Sequence, residues 1–444
     1  MNDRKTHLVL FLIVLLVAGG GLWYAWAHRT APEPPRLSVR QAGVVPSSEF
    51  VNAQASIDHY RERILREPEV IRNYVELAQV YLQQAHATAE ETRYVPLAQD
   101  LIEEALRRDP SHYHARVLKA SLLNVLHRFE EARTLAEALI AEHPRHAFTH
   151  GILVDALVEL GAYEAAVAAC DRMLSLRPGL PSYARAAYLR ELHGDTEGAI
   201  AAMTLAADAG VAGSRHRAWA LYQLGQLYLG SGDAEAAAAL FEGILEERPH
   251  DAYAVGGLGH VRLVEGAYTD AIALLEEAYD LAPSADFLGL LAEAYAAAGD
   301  DGRRAETLAR IQQDFVDAEA MGENVRMEYA DFLADEDTML EEALRLARLE
   351  YERRPNHLHA LETYAWALYK NGQPEAAAPH IERALRLGTG DAMVLYRAAL
   401  IHRAAGHVDA ARTHLERALE NHLHVESPTT ARAARAALGG LAEA

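Results

Sequence analysis

The amino-acid sequence predicts an all-α protein: a right-handed α-solenoid of about ten helix hairpins, preceded by one N-terminal transmembrane helix. Three observations lead to this fold class. Pro110, Pro144 and Pro178 recur every 34 residues, a period typical of stacked helix-turn-helix units. Between such prolines, apolar residues recur at the spacing of one helix face. The composition is 50% hydrophobic but only 7% aromatic, which suits closely packed helices.

Residues 221–249 show the repeated unit most completely. Four residues fall on one face of its first helix: Leu221, Leu224, Gly225 and Tyr228. Gly232 permits the left-handed turn that ends this helix. Ala237 and Phe241 then form the apolar face of a second helix, which Pro249 ends. The small residues Gly225 and Ala237 are expected where the two helix backbones approach closely.

This unit resembles the tetratricopeptide repeat (TPR), whose W-x2-L-G-x2-Y, A-x3-F and P signature it matches except for Leu221 in place of Trp. The small residue of the second helix recurs in register as Ala98, Ala132, Ala166, Ala237, Ala271, Ala343, Ala377 and Ala411. The resemblance covers the chain from Ile71 to His424. The C-terminal region also resembles membrane-anchored bacterial TPR proteins, and this second resemblance implies no activity.

The N-terminus predicts attachment to a membrane. Residues 1–7 form a short tail that contains Arg4 and Lys5, and an uncharged run then extends from Leu8 to Ala27. A run of this length spans one hydrocarbon core, and the aromatic residues in its second half suit the headgroup level. We expect an uncleaved anchor in the inner membrane with the repeats outside the cytoplasm. A cleavable signal peptide is the alternative, because residues 25–27 have an A-x-A form.

The remaining segments follow in order. Residues 28–52 are rich in Pro and Ser and predict a stiff spacer. The solenoid is predicted over residues 53–424, beginning with a capping helix from Ala53 to Glu67. In the first repeat, a long turn over HATAEETRY is expected to delay the second helix until Ala98. Residues 425–444 predict a C-terminal capping helix and tail.

Charge and cysteine content exclude several classes of function. Lys and Arg total 42 against 64 Asp and Glu, so the net charge is −22 and nucleic acid is not expected as a partner. Cys170 is the only cysteine, which excludes an intrachain disulfide and a Cys-cluster metal site. Its position matches that of Phe241 in the reference unit, so it is expected to be a buried core residue.

No catalytic, cofactor-binding or metal-ligating set is predicted. The glycines of GGLGH, residues 256–260, fall at packing positions of a first helix, and no strand precedes them as a nucleotide-binding loop requires. His146 and His150 have a helical spacing that could ligate a metal, but no third ligand converges with them predictably. We therefore expect a protein without enzymatic activity.

The concave face of the array provides the candidate binding surface. In a TPR superhelix, positions two, five, nine and twelve of each repeat point into the groove. The residues expected to bind a partner there are Trp219, Tyr222, Tyr253, His260, Glu362, Trp366, Tyr369 and Tyr396. Aromatic residues gathered on one face are typical binding anchors. Packing between neighbouring first helices is an equally open interpretation.

The sequence thus predicts a membrane-tethered scaffold that binds a protein or peptide in its groove and assembles or positions a cell-envelope complex. An accessory factor for polysaccharide export, or for a metal-handling system built on the histidines, is the alternative.

Overall fold

A computed structural model describes residues 46–88, 91–320 and 324–442. Within these ranges the chain folds into α-helices joined by short loops, with no strand. The residues predicted to form the tail, the anchor and most of the spacer lie outside the described part. None of the described helices is long and apolar enough to cross a membrane.

The described helices form ten consecutive antiparallel pairs, which confirms the predicted solenoid of helix hairpins. The first helices of repeats 1 to 10 are α2 (Ile71–Thr88), α4 (Tyr113–Val125), α6 (Ala147–Glu159), α8 (Leu180–Leu192), α10 (Arg215–Gly230), α12 (Ala252–Val264), α14 (Ala285–Ala298), α16 (Arg326–Asp335), α18 (Leu358–Lys370) and α20 (Ala392–Ala404). The second helices are α3 (Glu91–Arg108), α5 (Phe129–Glu142), α7 (Tyr163–Leu176), α9 (Thr196–Ala209), α11 (Ala234–Glu247), α13 (Tyr268–Leu281), α15 (Asp301–Ala320), α17 (Leu340–Arg353), α19 (Pro374–Ala384) and α21 (Val408–Glu420).

Additional helices lie at both ends of the array. They are α1 (Pro46–Arg66), α22 (Leu423–Glu426) and α23 (Pro428–Ala442), and a 3-10 turn (Leu385–Leu387) extends α19. The helix expected to begin at Ala53 begins earlier, at Pro46, because proline is well suited to a first helical position. The predicted boundary between residues 424 and 425 falls inside α22.

The first repeat differs from its prediction at the turn. The expected delay of the second helix until Ala98 is wrong, because α2 continues to Thr88 and α3 already begins at Glu91. The extra residues therefore lengthen both helices instead of the turn.

Within a repeat, small residues allow the helices to touch. Ala237 is fully buried, and a Cβ atom added to Gly225 would collide with the Phe241 ring. A Cβ on Gly257 would meet the same ring from the next repeat. Phe241 thus fills the space that these glycines leave, and the packing interpretation of GGLGH is confirmed. Cys170 is buried in the same way, and burial raises the pKa of its thiol to about 11.

The turns between paired helices need a left-handed residue. Glycine supplies it at Gly161, Gly194 and Gly232, each with a φ between 70° and 85°. Repeat 2 uses His127 at φ 55°, and repeat 8, which lacks a turn glycine, uses Asp337 at φ 50°. Aspartate tolerates this conformation better than most residues.

Repeats that are distant in sequence contact each other along an edge of the array that we call the seam. The turns of repeats 2, 3, 4 and 5 contact the loops that follow repeats 7, 8, 9 and 10, respectively. The residue pairs in contact are His127 with Asn324, Gly161 with Asn356, Gly194 with Gly388, and Gly232 with His422. The sequence separation is 197 residues at the first pair and stays close to this value along the seam. The superhelix therefore closes edge to edge.

Apolar and polar contacts both hold the seam. One hydrophobic cluster joins Val154, Leu157 and Tyr163 of repeat 3 to Leu358 and Leu361 of repeat 9. The buried Tyr163 hydroxyl accepts a hydrogen bond from the Leu358 amide at 2.8 Å, across 195 residues of sequence. The hydroxyl and the amide are buried and hydrogen-bonded to each other, so separating the two parts of the array would leave both groups unpaired. The two parts therefore stabilise each other.

Arginine side chains add further links across the seam. Arg354 donates to Glu159 at 2.5 Å, and its guanidinium lies 5.6 Å from the centre of the Phe129 ring. Arg386 donates to the carbonyl oxygens of both Asn356 and Gly161. Arginine suits such positions because its planar group can donate several hydrogen bonds and pack against a ring at once.

Candidate functional site

A cavity of about 460 Å³ lies where the seam brings distant repeats together. Its walls come from Asn124 at the end of α4 and from Asp155 and Glu159 on α6. Opposite them lie Glu328 on α16 and His359 on α18. The helix pairing of repeats 2 to 4 and 8 to 9 therefore positions the lining. No single repeat could form this cavity.

His359 lies at the centre of a group of carboxylates that we call the acidic cluster. Its members are Glu159, Glu191, Glu328, Asp331, Asp335, Glu362, Asp391 and Glu426. His359 Nδ1 is 3.2 Å from Glu362 Oε2. Burial alone would lower the pKa of His359, but the hydrogen bond and charge of Glu362, with the charges of Asp391 and Asp331, raise this pKa to about 9. His359 is therefore a cation at neutral pH, held in place by its anionic neighbours.

Arg397 on α20 neutralises part of the same cluster. Its guanidinium donates to Asp331 at 3.1 Å, to Asp335 at 2.8 Å and to Glu362 at 2.9 Å. Burial opposes ionisation of Glu362, but Arg397 and His359 outweigh it and lower the pKa of this carboxyl. Burial, together with the charges of Glu362 and Asp335, raises the pKa of Asp331 to about 7, although Arg397 opposes this shift. The cluster thus contains more carboxyl groups than its cations balance.

Further carboxyl groups face water inside the superhelix. Glu191, Glu328 and Glu426 are exposed to solvent, yet desolvation by the surrounding protein raises the pKa of each. For Glu426 the charges of Asp391 and Glu191 add to this effect and raise the pKa to about 7. Desolvation also raises the pKa of Glu159, against the opposing charge of Arg354. Water reaches these carboxyl groups, and the surrounding protein nevertheless disfavours their charged form.

The arrangement favours a positively charged ligand. Partly desolvated carboxylates gain when a cation approaches, because attraction strengthens where the surroundings are less polar than water. The same field repels phosphate and other anions. The acidic cluster can therefore bind lysine or arginine side chains, and it contains no obvious arrangement for covalent chemistry among the described residues.

The structure corrects the placement of two residues predicted to line an open groove. Trp366 is only 5% exposed and Glu362 only 4%. Trp366 Nε1 donates to Asp335 Oδ1 at 2.7 Å, and its ring stacks on Tyr369 at 5.0 Å. Arg397 lies over the ring at 5.3 Å. These side chains contact other residues of the protein instead of solvent, because the helices of repeats 8, 9 and 10 pack closely here.

The other predicted residues are more accessible. Trp219 is 45% exposed and Tyr253 is 43% exposed. Tyr222 packs edge-on against Tyr253, with ring centres 5.4 Å apart, and forms an aromatic stripe with these two residues. Tyr369 and Tyr396 are half-buried. Their role in binding a partner, like that of the stripe, stays a prediction.

His260 is covered by the C-terminal segment. Its Nε2 lies 2.8 Å from the carbonyl oxygen of Val425, which is 165 residues away. Burial lowers its pKa. Ser427 and Thr429 in the same segment donate to Glu293 on α14. The predicted capping helix therefore does more than end the array, because it also closes the seam over repeats 6 and 7.

Sequence reasoning missed most of the acidic cluster. Glu159, Glu191 and Glu426 belong to repeats 3 and 4 and to the C-terminal segment, far in sequence from His359. Glu328 and His359 do occupy groove positions in the repeat pattern. Finding these residues from the sequence would have required the number of repeats in one superhelical turn. The repeat period alone does not provide that number.

The fold and the geometry of its turns define an α-solenoid of stacked helix hairpins, a class whose extended inner surface binds other molecules. A family model described as tetratricopeptide repeat matches residues 76–147, 125–181 and 222–286, and a second model of the same description matches residues 393–422. The chain belongs to the tetratricopeptide repeat proteins.

Solved structures with a related fold include the human IFIT1 dimer with m7Gppp-AAAA. It is 13% identical, covers 84% of this chain and 87% of its own, and has a TM-score of 0.44. PilW, described as a widely conserved type IV pilus biogenesis factor, is 17% identical and covers 46% of this chain and 94% of its own, with a TM-score of 0.40. Both similarities concern the helical fold alone. No curated protein sequence matches the chain.

Proposed function

We propose that this chain is a protein-interaction scaffold whose acidic cluster receives a positively charged segment of a protein partner. The observation that carries the proposal is the convergence of Asp331, Asp335 and Glu362 on Arg397 and His359. Desolvation raises the pKa of the water-facing Glu191, Glu328 and Glu426, which supports the same proposal. Tetratricopeptide repeats act in general as protein-binding scaffolds, which supports a protein partner and a function without catalysis.

The energetics favour a lysine- or arginine-containing segment. An approaching cation replaces the water that these carboxylates lack, so that binding relieves a cost already present in the free protein. The aromatic stripe of Trp219, Tyr222 and Tyr253 offers rings on which a cationic side chain can also rest. Nucleic acid is not proposed as a partner, because its phosphates would meet the same carboxylates.

We further propose that residues 8–27 tether this scaffold to the inner membrane, with the repeats outside the cytoplasm, where it assembles or positions an envelope complex. The uncharged run after Arg4 and Lys5 supports this part of the proposal. A reporter enzyme fused after Ala444 is expected to be active only outside the cytoplasm. Activity inside the cytoplasm would contradict the orientation, and a mature N-terminus at His28 would contradict the uncleaved tether.

Peptide binding tests the acidic cluster directly. The probe is a fluorescent arginine-rich peptide, and the comparison peptide carries glutamate at every arginine position. The full-length chain in detergent is expected to bind the arginine-rich peptide and not the comparison peptide. The triple change Glu191→Gln, Glu328→Gln and Glu426→Gln should weaken binding at least about tenfold, which corresponds to about 1.4 kcal/mol.

A matched control separates this site from the general acidity of the surface. Glu235, Glu375 and Glu416 are exposed and lie outside the acidic cluster. Changing these three residues to Gln removes the same net charge. If the control triple weakens peptide binding as much as the site triple, the attraction is non-specific and the proposed binding site is wrong.

A further inference from the structure

Three side chains from two neighbouring repeats converge on one point away from the acidic cluster. Glu382 lies on α19 of repeat 9, while His402 and His414 lie on the two helices of repeat 10. Their potential ligand atoms all lie within 4.8 Å of one another. Glu382 Oε1 is 2.7 Å from His402 Nε2 and 3.9 Å from His414 Nε2. Two imidazoles and a carboxylate form a donor set that divalent transition metals prefer.

Two nitrogens of this group are buried without a hydrogen bond among the described residues. His402 is 4% exposed, and its Nε2 forms no hydrogen bond within the described residues. The atom lies at hydrogen-bond distance from Glu382 but without hydrogen-bond geometry. His414 Nδ1 is also buried without a partner among the described residues. A buried nitrogen without a hydrogen bond is rare. His402 Nε2 is therefore available to a ligand that it shares with Glu382 and with His414 Nε2.

A further histidine holds His402 in the orientation that a metal needs. His407 Nδ1 lies 3.1 Å from His402 Nδ1. Two such nitrogens share a single proton, so one ring must donate and the other accept. If a metal takes Nε2 of His402, the proton of this ring resides on Nδ1 and is donated to His407. Metal-bound histidines generally show this second hydrogen bond, which fixes the tautomer and the ring.

The spacing of the atoms fits a tetrahedral metal. Bonds of about 2.0–2.2 Å to nitrogen and oxygen separate neighbouring ligands by roughly 3.3 Å in a tetrahedron. The distances from Glu382 Oε1 to the Nε2 atoms of His402 and His414, 2.7 Å and 3.9 Å, lie on either side of this value. Small side-chain rotations therefore suffice to bring both distances to it. The Glu382 side chain is 55% exposed, which leaves a path from solvent to the buried histidines.

We propose that Glu382, His402 and His414 bind one divalent transition-metal ion of the zinc type, with His407 as a positioning residue. Three protein ligands leave one coordination position for water. The ion would connect α19, α20 and α21 and so link repeats 9 and 10. This end of the array carries α22, whose contacts close the seam.

Cobalt substitution and zinc titration test the site. The full-length chain is freed of metal with a chelator and titrated with Co²⁺ and Zn²⁺. We expect one ion per chain, a visible Co²⁺ spectrum typical of tetrahedral coordination, and a higher melting temperature with Zn²⁺ than without it. Glu382→Gln and His414→Gln should each lower Zn²⁺ affinity at least tenfold. Both variants keep the size of the side chain closely enough to preserve the fold, which circular dichroism verifies.

The control is His114→Gln, because His114 is exposed and belongs to an H-x-H pair in repeat 2. This variant should bind both ions like the parent. The inference is overturned if the parent binds no Zn²⁺, or if Glu382→Gln and His414→Gln bind it as tightly as the parent. In either case the three side chains form only an ion-paired group. Peptide binding at the acidic cluster is a separate property and does not depend on this outcome.

Discussion

Individual side chains inside this superhelix differ in how much solvation they retain. Glu426 is exposed to water, yet surrounding protein raises its pKa to about 7. Trp366, at a predicted groove position of its repeat, is only 5% exposed and bonded to Asp335, whereas Trp219, also at a predicted groove position, is 45% exposed. The position of a residue within the repeat therefore does not determine its environment. What determines it is the packing of the surrounding helices.

The raised pKa of Glu426 predicts a pH-dependent effect on stability. The folded state favours the protonated form of Glu426. The contribution of this group to the free energy of unfolding is therefore fully present below its unfolded pKa near 4.5 and is lost as the pH rises toward 7. Glu426→Gln removes this loss. We expect the variant to melt at a higher temperature than the parent at pH 8, and the difference to shrink as the pH falls to 4.5. Thermal unfolding by circular dichroism measures both.

Glu235→Gln is the control for this prediction, because Glu235 is exposed and lies outside the acidic cluster. A Glu426→Gln variant that melts like the parent, or below it, at pH 8 would show that the carboxylate is already well solvated.

At the scale of helices and turns, the same glycine pattern serves two purposes. Gly225 and Gly257 admit the ring of Phe241 between helices. The close approach at Gly225 was predicted from the spacing within one repeat, whereas the contact of Gly257 with a ring of the preceding repeat was not. Gly161 and Gly194 permit the same turn conformation that was predicted at Gly232, and they also leave room for the backbone of a loop five repeats later. The second role depends on the superhelix and has no signature in the repeat itself.

At the scale of the whole described array, the seam converts a chain of neighbour contacts into a closed structure. In an open solenoid each repeat contacts only its neighbours. Here Tyr163, Arg354 and Arg386 connect repeats that are distant in sequence. The acidic cluster exists only while these contacts hold, because its members come from both sides of the seam.

The seam predicts different outcomes for glycines that share one backbone conformation. A Cβ on Gly161 would collide with the backbone of Asn356, and a Cβ on Gly194 with the carbonyl oxygen of Gly388. Gly299 and Gly372 have the same positive φ but open space around them. Alanine costs about 1–2 kcal/mol at any of these positions, from the left-handed conformation alone. In addition to this cost, the double change Gly161→Ala and Gly194→Ala should open the seam, and the double change Gly299→Ala and Gly372→Ala should not.

Hydrogen exchange of the full-length chain measures this difference. The seam pair should accelerate exchange in the loops around Asn356 and Gly388, while the control pair, Gly299→Ala with Gly372→Ala, should leave those loops protected. Helical content should stay close to that of the parent in both. Equal acceleration in the two variants would indicate that the seam contributes no stability of its own.

The sequence by itself determined the helices, their pairing and the family, because these follow from local spacing. The turn at Gly232, the close approach at Gly225 and the burial of Cys170 all depend on neighbours within about one repeat. The tertiary structure alone decided which repeats meet across the seam, since small rotations between successive repeats accumulate into the superhelical turn. That turn places Glu159 near His359 and Glu426 near Asp391. Close packing of repeats 8, 9 and 10 buries Trp366 where the sequence predicted an open groove.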